Sequence, residues 1–277
     1  TLYSGTQPMG QGIATSYLQI FSEQLQIPVN QLKVVQGDTD LVEGHGSVGS
    51  RSLFVGGNAI LRGIEDFLEE CKQLAASELE ASVEDLEYHQ GNFQVKGTRV
   101  GIGIFDLCSL QSGNSISVKR KKELTGRSWP NGCHVAEVEI DAETGEVRLD
   151  RYVSVDDVGN IVNPMIVHGQ VQGGIASGLG QAVLERTEYD ASGQLLSGSY
   201  MDYALPRADD MPSLSGSLFE KAPCLTNPLG AKGTGEIGAV AGPPAIVHAV
   251  IDALAEKGIT QIDMPLQPQK IWECLNR

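Results

Sequence analysis

The stretch that opens the second half of the chain reads His134-Val135-Ala136-Glu137-Val138-Glu139-Ile140-Asp141, and in it apolar and charged side chains alternate. A second alternating run covers residues 147–155 and follows the turn residues Glu143-Thr144-Gly145. Successive side chains of a strand point to opposite faces, so alternation on both sides of a tight turn is typical of a β-hairpin. The stretch therefore predicts an antiparallel strand pair with one buried face.

Helical patterns lie on either side of this hairpin. Apolar residues recur at helical spacing over about residues 10–26, 54–80, 164–186 and 244–257, the last two helices starting at Asn163-Pro164 and at Pro244. Short strands are predicted at residues 32–35, 86–89 and 92–96. Because strands and helices do not follow a regular βαβ order, we expect an α+β fold of two lobes, each a mixed β-sheet with packed helices.

The predicted boundary between the lobes lies near residue 120. Residues 109–128 are polar, basic and glycine-bearing, which is typical of a linker. We therefore expect a first lobe over residues 1–120 and a second lobe over residues 121–277.

Composition excludes several classes of protein. The chain has 277 residues, of which 41% are apolar and 20% charged, as in ordinary globular proteins. Its net charge of −15 argues against nucleic acid and anionic membrane surfaces as partners. No apolar run reaches the roughly 18 residues of a membrane span. The 5 cysteines are scattered without a CxxC spacing, which favours reduced thiols in the cytoplasm and argues against a zinc or iron–sulfur site.

The segment Gly233-Thr234-Gly235-Glu236-Ile237-Gly238 places one carboxylate in a glycine loop ahead of an apolar helix. Such a glutamate is often a solvated residue that the helix dipole favours. Alternatively, the loop aims Glu236 into a cavity as an acid or base, with the helix as rigid support. Both interpretations are open on these residues alone.

Two glycine-centred segments of the first half could bind a ligand. Gly10 and Gln11 lie at the N-terminus of the first predicted helix. Unpaired backbone amides and a glutamine amide there suit a heterocycle, or the segment simply starts the helix. Residues 44–52 contain Gly49-Ser50-Arg51-Ser52 ahead of the long helix. Those residues form either a phosphate cradle or a surface loop.

A third segment, residues 169–180, is rich in glycine inside a predicted helix. Each interior glycine costs a helix up to about 1 kcal/mol relative to alanine. The glycines therefore serve either close packing against another backbone or the approach of Gln170 to a bound ring.

A nucleotide-binding domain is a further alternative, because residues 44–49 and 233–238 both match GxGxxG. That pattern indicates a dinucleotide site when it directly follows a strand and opens a helix. Neither segment has this context, so a Rossmann site is disfavoured, and measured affinity for ATP or NAD would be needed to revive it.

The motifs, taken in chain order, resemble the C-terminal part of the molybdopterin-binding large subunit of the xanthine dehydrogenase and aldehyde oxidase family. This family of molybdenum hydroxylases includes the carbon monoxide dehydrogenase large chain. The matching segments extend over nearly the whole chain: residues 5–12, Gly37-Asp38-Thr39-Asp40, Gly49–Ser52, Asp156-Asp157-Val158-Gly159, Asn163-Pro164, residues 169–173, Gly233–Glu236 and Pro244-Ala245-Ile246.

The resemblance implies a specific set of site residues. Contacts to the molybdenum–molybdopterin cofactor fall on Gly10, Gln11, Gly49, Ser50, Arg51, Ser52, Gln170 and Gly235. Glu236 falls at the catalytic glutamate, the general base in hydroxylation of an aldehyde, an N-heterocycle or a related small substrate. The segment Ser50-Arg51-Ser52 resembles that of the bacterial enzymes, which often carry the cytosine dinucleotide form of the cofactor.

The resemblance covers about the last third of a typical subunit, so we expect a fragment that is cofactor-free and inactive in isolation. It implies as partners the upstream part of the same subunit together with iron–sulfur and FAD subunits or domains. Two alternatives stay open: a non-catalytic module for cofactor binding or subunit assembly, and a fragment of a carbon monoxide dehydrogenase large chain.

Overall fold

The computed structural model describes residues 1–121 and 126–276, and the chain divides into two compact units. Unit 1 comprises Thr1–Ser128 with Cys224–Ala231, and unit 2 comprises Trp129–Pro223 with Lys232–Arg277. The lobe boundary at residue 120 stays a prediction, and part of its linker, residues 122–125, lies outside the described residues.

Unit 1 combines two small sheets with helices. Its elements are β1 (Leu2–Ser4), α1 (Ile13–Leu25), β2 (Val34–Gln36), α2 (Asn58–Glu78), β3 (Leu86–His89), β4 (Asn92–Val95), β5 (Gly101–Gly103) and α3 (Ile104–Leu110). β1 pairs in parallel with β2, and β3, β4 and β5 form an antiparallel sheet. A single π-helical turn, Leu53–Gly57, leads directly into α2.

The predicted helical faces of unit 1 form its core. Tyr17 and Ile20 of α1 and Ile60 and Ile64 of α2 are buried, as the spacing predicted. The missed elements β1, β5 and α3 are short, and too few residues repeat in them to produce a recognisable period.

Unit 2 is built on the predicted hairpin. Its elements are β6 (Asn131–Ile140), β7 (Val147–Asp157), α4 (Pro164–Leu179), β8 (Leu214–Leu218), α5 (Ile237–Ala253) and α6 (Pro268–Leu275). β6 and β7 pair antiparallel from Asn131↔Asp157 to Ile140↔Val147, while β8 pairs in parallel with β7. This sheet is mixed, and the α+β class predicted for the chain is confirmed.

Helices α4 and α5 cover one face of this sheet. Tyr152 of β7 is buried in one cluster with Val171 and Ile175 of α4 and Ile246 of α5. On the opposite face, Val135 and Val153 are directly paired and exposed.

Glycines allow α4 and α5 to touch backbone to backbone. A Cβ added to Gly174 would lie 2.8 Å from the Cα of Gly238, and one added to Gly178 would lie 3.1 Å from the Cα of Gly242. Close packing therefore accounts for two glycines of the segment 169–180, as one of its two interpretations required.

The predicted start of the last helix was wrong. The helix begins at Ile237 rather than at Pro244, and Pro243 and Pro244 lie inside it. Each interior proline removes a backbone hydrogen bond. The contact of Gly238, Gly242 and the buried Pro243 with α4 outweighs that cost. As a consequence, Glu236 is the N-cap residue of α5 and not part of a longer loop.

Within residues 1–121 and 126–276, no helix combines the length and the apolar character needed to cross a membrane.

Candidate functional site

Unit 1 brings its two predicted ligand segments together. Ser47 Oγ donates to the Gln7 carbonyl at 2.6 Å, and the Gln7 amide in turn donates to Ser47 Oγ at 3.2 Å. The Gly46 amide donates to the Gly5 carbonyl at 3.2 Å. Residues 5–12 and 44–52, here called the paired loops, are therefore joined by side-chain and main-chain hydrogen bonds. Gly10, Gln11 and the segment Gly49–Ser52 all belong to them.

Several backbone positions of the paired loops are left-handed. Gly10 has φ +90°, Gly49 has φ +60°, and the adjacent Ser50 has φ +53°. An added Cβ at Gly10 or Gly49 would meet nothing within 4 Å, so the dihedral angle and not space requires glycine there. For a serine this conformation costs about 1–2 kcal/mol, and strain of this kind concentrates at functional sites.

The end of the second loop has the donors that an oxyanion needs. Arg51 is exposed, and Ser52 is half-buried at the start of the continuous helical run through Leu53–Gly57 into α2. Backbone amides at the start of a long helix and a nearby guanidinium together attract phosphate groups.

Gln11 uses its amide first to close its own loop. Its Nε2 donates to the Gln7 carbonyl at 2.9 Å, and its Oε1 accepts from the Met9 amide at 2.7 Å. One N–H and one lone pair of the side chain remain for a ligand. The predicted ligand contact of Gln11 would have to use these two positions.

Tyr17, for which the sequence predicted only a place on the apolar face of the first helix, lies beneath the paired loops. Its hydroxyl donates to the Ser52 carbonyl at 2.7 Å and lies 3.1 Å from Thr6 Oγ1, and its side chain is fully buried. Burial raises the pKa of Tyr17 to about 12, against the lowering effect of the Thr6 hydrogen bond, so the hydroxyl is neutral at ordinary pH. One signal was available in the sequence, because a buried tyrosine hydroxyl needs a partner.

In unit 2, the predicted catalytic residue stands at the tip of α5. Glu236 is exposed, its carbonyl accepts from the Val240 amide at 2.9 Å, and the Ile237 amide donates to the Thr234 carbonyl at 3.2 Å. Gly235 is also exposed. A carboxylate at a helix N-terminus is in a position that favours negative charge.

The loop that carries Glu236 is anchored where it starts. Lys232 Nζ lies 2.5 Å from Asp157 Oδ2, and the Lys232 amide donates to the Val158 carbonyl at 2.8 Å. Burial by itself would raise the pKa of Asp157, but hydrogen bonds from Lys232, the Gly159 amide and Asn131 lower it overall. Asp157 is therefore ionised at neutral pH.

Gln170 lies on the α4 turn that contacts the start of α5. It is half-buried and directly precedes Val171, whose carbonyl would lie 2.3 Å from a Cβ added to Gly238. The structure thus brings the chain segments of Gln170 and Glu236 together within unit 2. The contact of Gln170 with a ligand stays a prediction.

A buried polar network, not predicted from the sequence, holds the end of β7. His134 Nε2 and Asp156 Oδ1 are 2.9 Å apart, as are His134 Nδ1 and the Tyr152 hydroxyl, and Ser154 Oγ donates to Asp156 Oδ2 at 2.9 Å. Asp156 directly precedes Asp157, so the network fixes the end of the strand to which Lys232 is attached.

The donor set suits an organic oxyanion better than a directly bound metal ion. Among residues 1–121 and 126–276, no group of three or more His, Cys, Asp or Glu side chains could hold a metal. Glycine-exposed amides, serine hydroxyls and one guanidinium suit phosphate oxygens.

Comparisons with known proteins agree with this chemistry. The family described as "Molybdopterin cofactor-binding domain" matches residues 1–212. The chain is 34% identical to the gamma subunit of the 6-hydroxypseudooxynicotine dehydrogenase complex of Paenarthrobacter nicotinovorans, over 98% of this chain and 35% of that protein. It is 33% identical to the carbon monoxide dehydrogenase large chain of Hydrogenophaga pseudoflava, again over 98% of this chain and 35% of that protein.

A solved structure gives the same result for the fold. Quinoline 2-oxidoreductase from Pseudomonas putida 86 superposes with a TM-score of 0.88 at 32% identity, over 99% of this chain and 36% of that one. The chain thus spans about a third of the length of the proteins that it matches. It belongs to the molybdopterin cofactor-binding domains of the molybdenum hydroxylase family, which contains the carbon monoxide and xanthine dehydrogenases.

Proposed function

We propose that this chain is the C-terminal part of a molybdenum hydroxylase large subunit, and that Glu236 is the general base of that enzyme. The substrate class is an aldehyde, an N-heterocycle or a related small molecule with an electron-poor carbon. The observation that carries the proposal is the place of Glu236, an exposed residue at the N-cap position of α5 that lies between two fixed points, Lys232 and Gly238.

The bound molybdenum–molybdopterin cofactor supplies the redox chemistry of the hydroxylation. Glu236 in its ionised form takes up the proton of the water-derived nucleophile at a carboxylate oxygen. A general base acts within about 2.6–3.2 Å of that proton's oxygen, so the direction of the side chain decides its effect.

The paired loops of unit 1 are proposed to bind the cofactor's phosphate and pterin groups. Arg51 and the amides of Gly49, Ser50 and Ser52 would donate hydrogen bonds to phosphate oxygens, while Gly10 and the second N–H of Gln11 would contact the pterin. Within unit 2, Gln170 and Gly235 are the proposed cofactor contacts. An exposed guanidinium also suits the added phosphate of a cytosine dinucleotide form.

The proposed partners follow from the share of the relatives that this chain covers. Because 98% of the chain matches only 35% of the carbon monoxide dehydrogenase large chain, we propose that an upstream part of the same subunit completes the enzyme. Iron–sulfur and FAD subunits or domains are the proposed electron acceptors, in a cytoplasmic complex.

The decisive experiment replaces Glu236 by Gln in the complete subunit within its complex. Turnover is expected to fall by about 10²–10⁴-fold, the usual contribution of a general base, while the molybdenum content stays unchanged. Glu256→Gln is a matched control, because Glu256 is exposed just beyond the other end of α5. A Glu236→Gln enzyme that keeps its turnover would contradict the proposal and favour a non-catalytic module for cofactor binding or assembly.

A second measurement uses the 277-residue chain alone. Metal analysis and a dye-linked oxidation assay should find neither molybdenum nor turnover, because the larger part of the subunit is missing. Robust turnover by the isolated chain would refute this expectation.

A further inference from the structure

The loop that leads into α5 and presents Glu236 is short and flexible by composition. Gly233, Thr234 and Gly235 separate Lys232 from Glu236. Glycine has more backbone freedom than any other residue, so such a loop takes one conformation only when its ends are held. One end of this loop is held by α5, and the other end is Lys232.

The Lys232 side chain and main chain are both attached to the end of β7. Nζ lies 2.5 Å from Asp157 Oδ2, and the amide nitrogen donates to the Val158 carbonyl at 2.8 Å. Two attachments to consecutive residues, Asp157 at the end of β7 and Val158 directly after it, fix both the place and the direction of the chain that leaves Lys232. The other end is fixed by Gly238, where an added Cβ would lie 2.5 Å from the Ile175 amide nitrogen.

Asp157 is itself held rigidly. Its Oδ1 accepts from the Gly159 amide at 2.9 Å, and the Asn131 side chain hydrogen-bonds to it from the paired strand β6. The side chains of Lys232 and Asp157 are 10% and 11% exposed. A carboxylate with this many donors keeps the ammonium group at one point.

We infer that Lys232 and Asp157 are positioning residues for Glu236, whose carboxylate they keep in one direction through the loop Gly233–Gly235. This inference rests on the proposed role of Glu236 as general base. Energetics support a role in orientation. A buried ion pair usually adds little to stability compared with apolar residues of similar volume, whereas in several proteins buried polar groups specify one conformation.

The first test measures loop motion in the 277-residue chain and needs no cofactor. The double variant Lys232→Met/Asp157→Leu removes both charges and leaves neither unpaired, so we expect it to fold. The NMR backbone order parameters of Gly233, Gly235 and Glu236 should be about 0.85 in the wild type and fall below about 0.6 in the variant. Unchanged order parameters in the folded variant would overturn the inference.

Two further variants keep this test decisive. Glu139→Gln/Arg148→Met removes an exposed ion pair of the same sheet and should leave the loop as rigid as in the wild type. If the first double variant does not fold, Asp157→Asn keeps the shape of the side chain and should give an intermediate loss of order. Equal order in Asp157→Asn and the wild type would again overturn the inference.

The second test separates this inference from the proposed function in the complete, cofactor-loaded enzyme. Lys232→Met/Asp157→Leu should lower kcat by about 10- to 100-fold, as for a catalytic group displaced by about 1 Å, with KM and molybdenum content nearly unchanged. If Glu236→Gln abolishes turnover while the double variant keeps full kcat, the positioning role is wrong. If Glu236→Gln keeps its turnover, the general-base proposal is wrong, and the order parameters still decide whether the ion pair anchors the loop.

Discussion

The backbones of Gly174 and Gly238 are in direct contact, so closely that a Cβ on Gly174 would lie 2.8 Å from the Gly238 Cα and 2.8 Å from the Ala239 amide nitrogen. Neither helix can gain a side chain there without moving. The N-terminal end of α5, where Glu236 occupies the N-cap position, is therefore located by its contact with α4.

The first prediction concerns this contact. Gly174→Ala should lower the free energy of unfolding by about 1–3 kcal/mol, because overpacking forces the two backbones apart. Gly173→Ala is the matched control on the same helix, since its added Cβ meets nothing within 4 Å. It should raise stability by up to about 1 kcal/mol through helix propensity. Urea unfolding of both variants checks this, and equal effects would contradict the close packing.

The second prediction concerns the hydroxyl beneath the paired loops. Tyr17→Phe keeps the ring but removes the hydrogen bonds to the Ser52 carbonyl and to Thr6, at a cost of about 1–3 kcal/mol. Amide resonances of Gly49 to Ser52 should shift or broaden. Tyr88→Phe loses a comparable bond to the Leu25 carbonyl and should leave those resonances unchanged.

The third prediction is a pH dependence with two limbs. The pKa of Asp157 is lowered in the folded state, so its contribution is present above the unfolded carboxyl value of about 3.9 and is lost as the pH falls through the folded value. The pKa of Tyr17 is raised to about 12, so its contribution is present below the unfolded value of about 10 and is lost as the pH rises towards 12.

Unfolding free energies across this pH range check both limbs. Asp157→Asn should flatten the acid limb and Tyr17→Phe the alkaline one. If the acid limb of Asp157→Asn is as steep as that of the wild type, other carboxyl groups cause it.

The fourth prediction concerns the left-handed serine of the second loop. Ser50→Gly should relieve backbone strain and keep or raise the stability of the chain, by up to about 1 kcal/mol. In the complete subunit it should also lower the molybdenum content, because the cradle becomes less rigid. Gln90→Gly changes another left-handed residue of unit 1, at the turn between β3 and β4, and should affect stability alone.

Local patterns were sufficient for the elements in which apolar residues recur at a regular spacing. The β6–β7 hairpin was predicted because its alternation and its turn both lie within one continuous stretch. β8 was missed, since Leu214–Leu218 is rich in serine and glycine and obtains its place by parallel pairing with β7.

What sequence reasoning could not supply is contact between distant residues. The start of α5 depends on Gly238 and Pro243 touching α4, whereas the local proline rule pointed to Pro244. The Lys232–Asp157 pair spans 75 positions and the Tyr17–Ser52 bond spans 35. Glu236 was identified from its loop, but the groups that hold that loop become visible only when the chain is folded.

The glycine contacts between α4 and α5 also set the rotational phase of α5. Gly238 and Gly242 must both face α4, and each residue turns a helix by about 100°. Deleting or inserting one residue between Glu236 and Gly238 would therefore rotate the carboxylate to another side of the helix, while the helix itself kept its contact with α4. Length changes at this point should be far more damaging to the chemistry than to the fold.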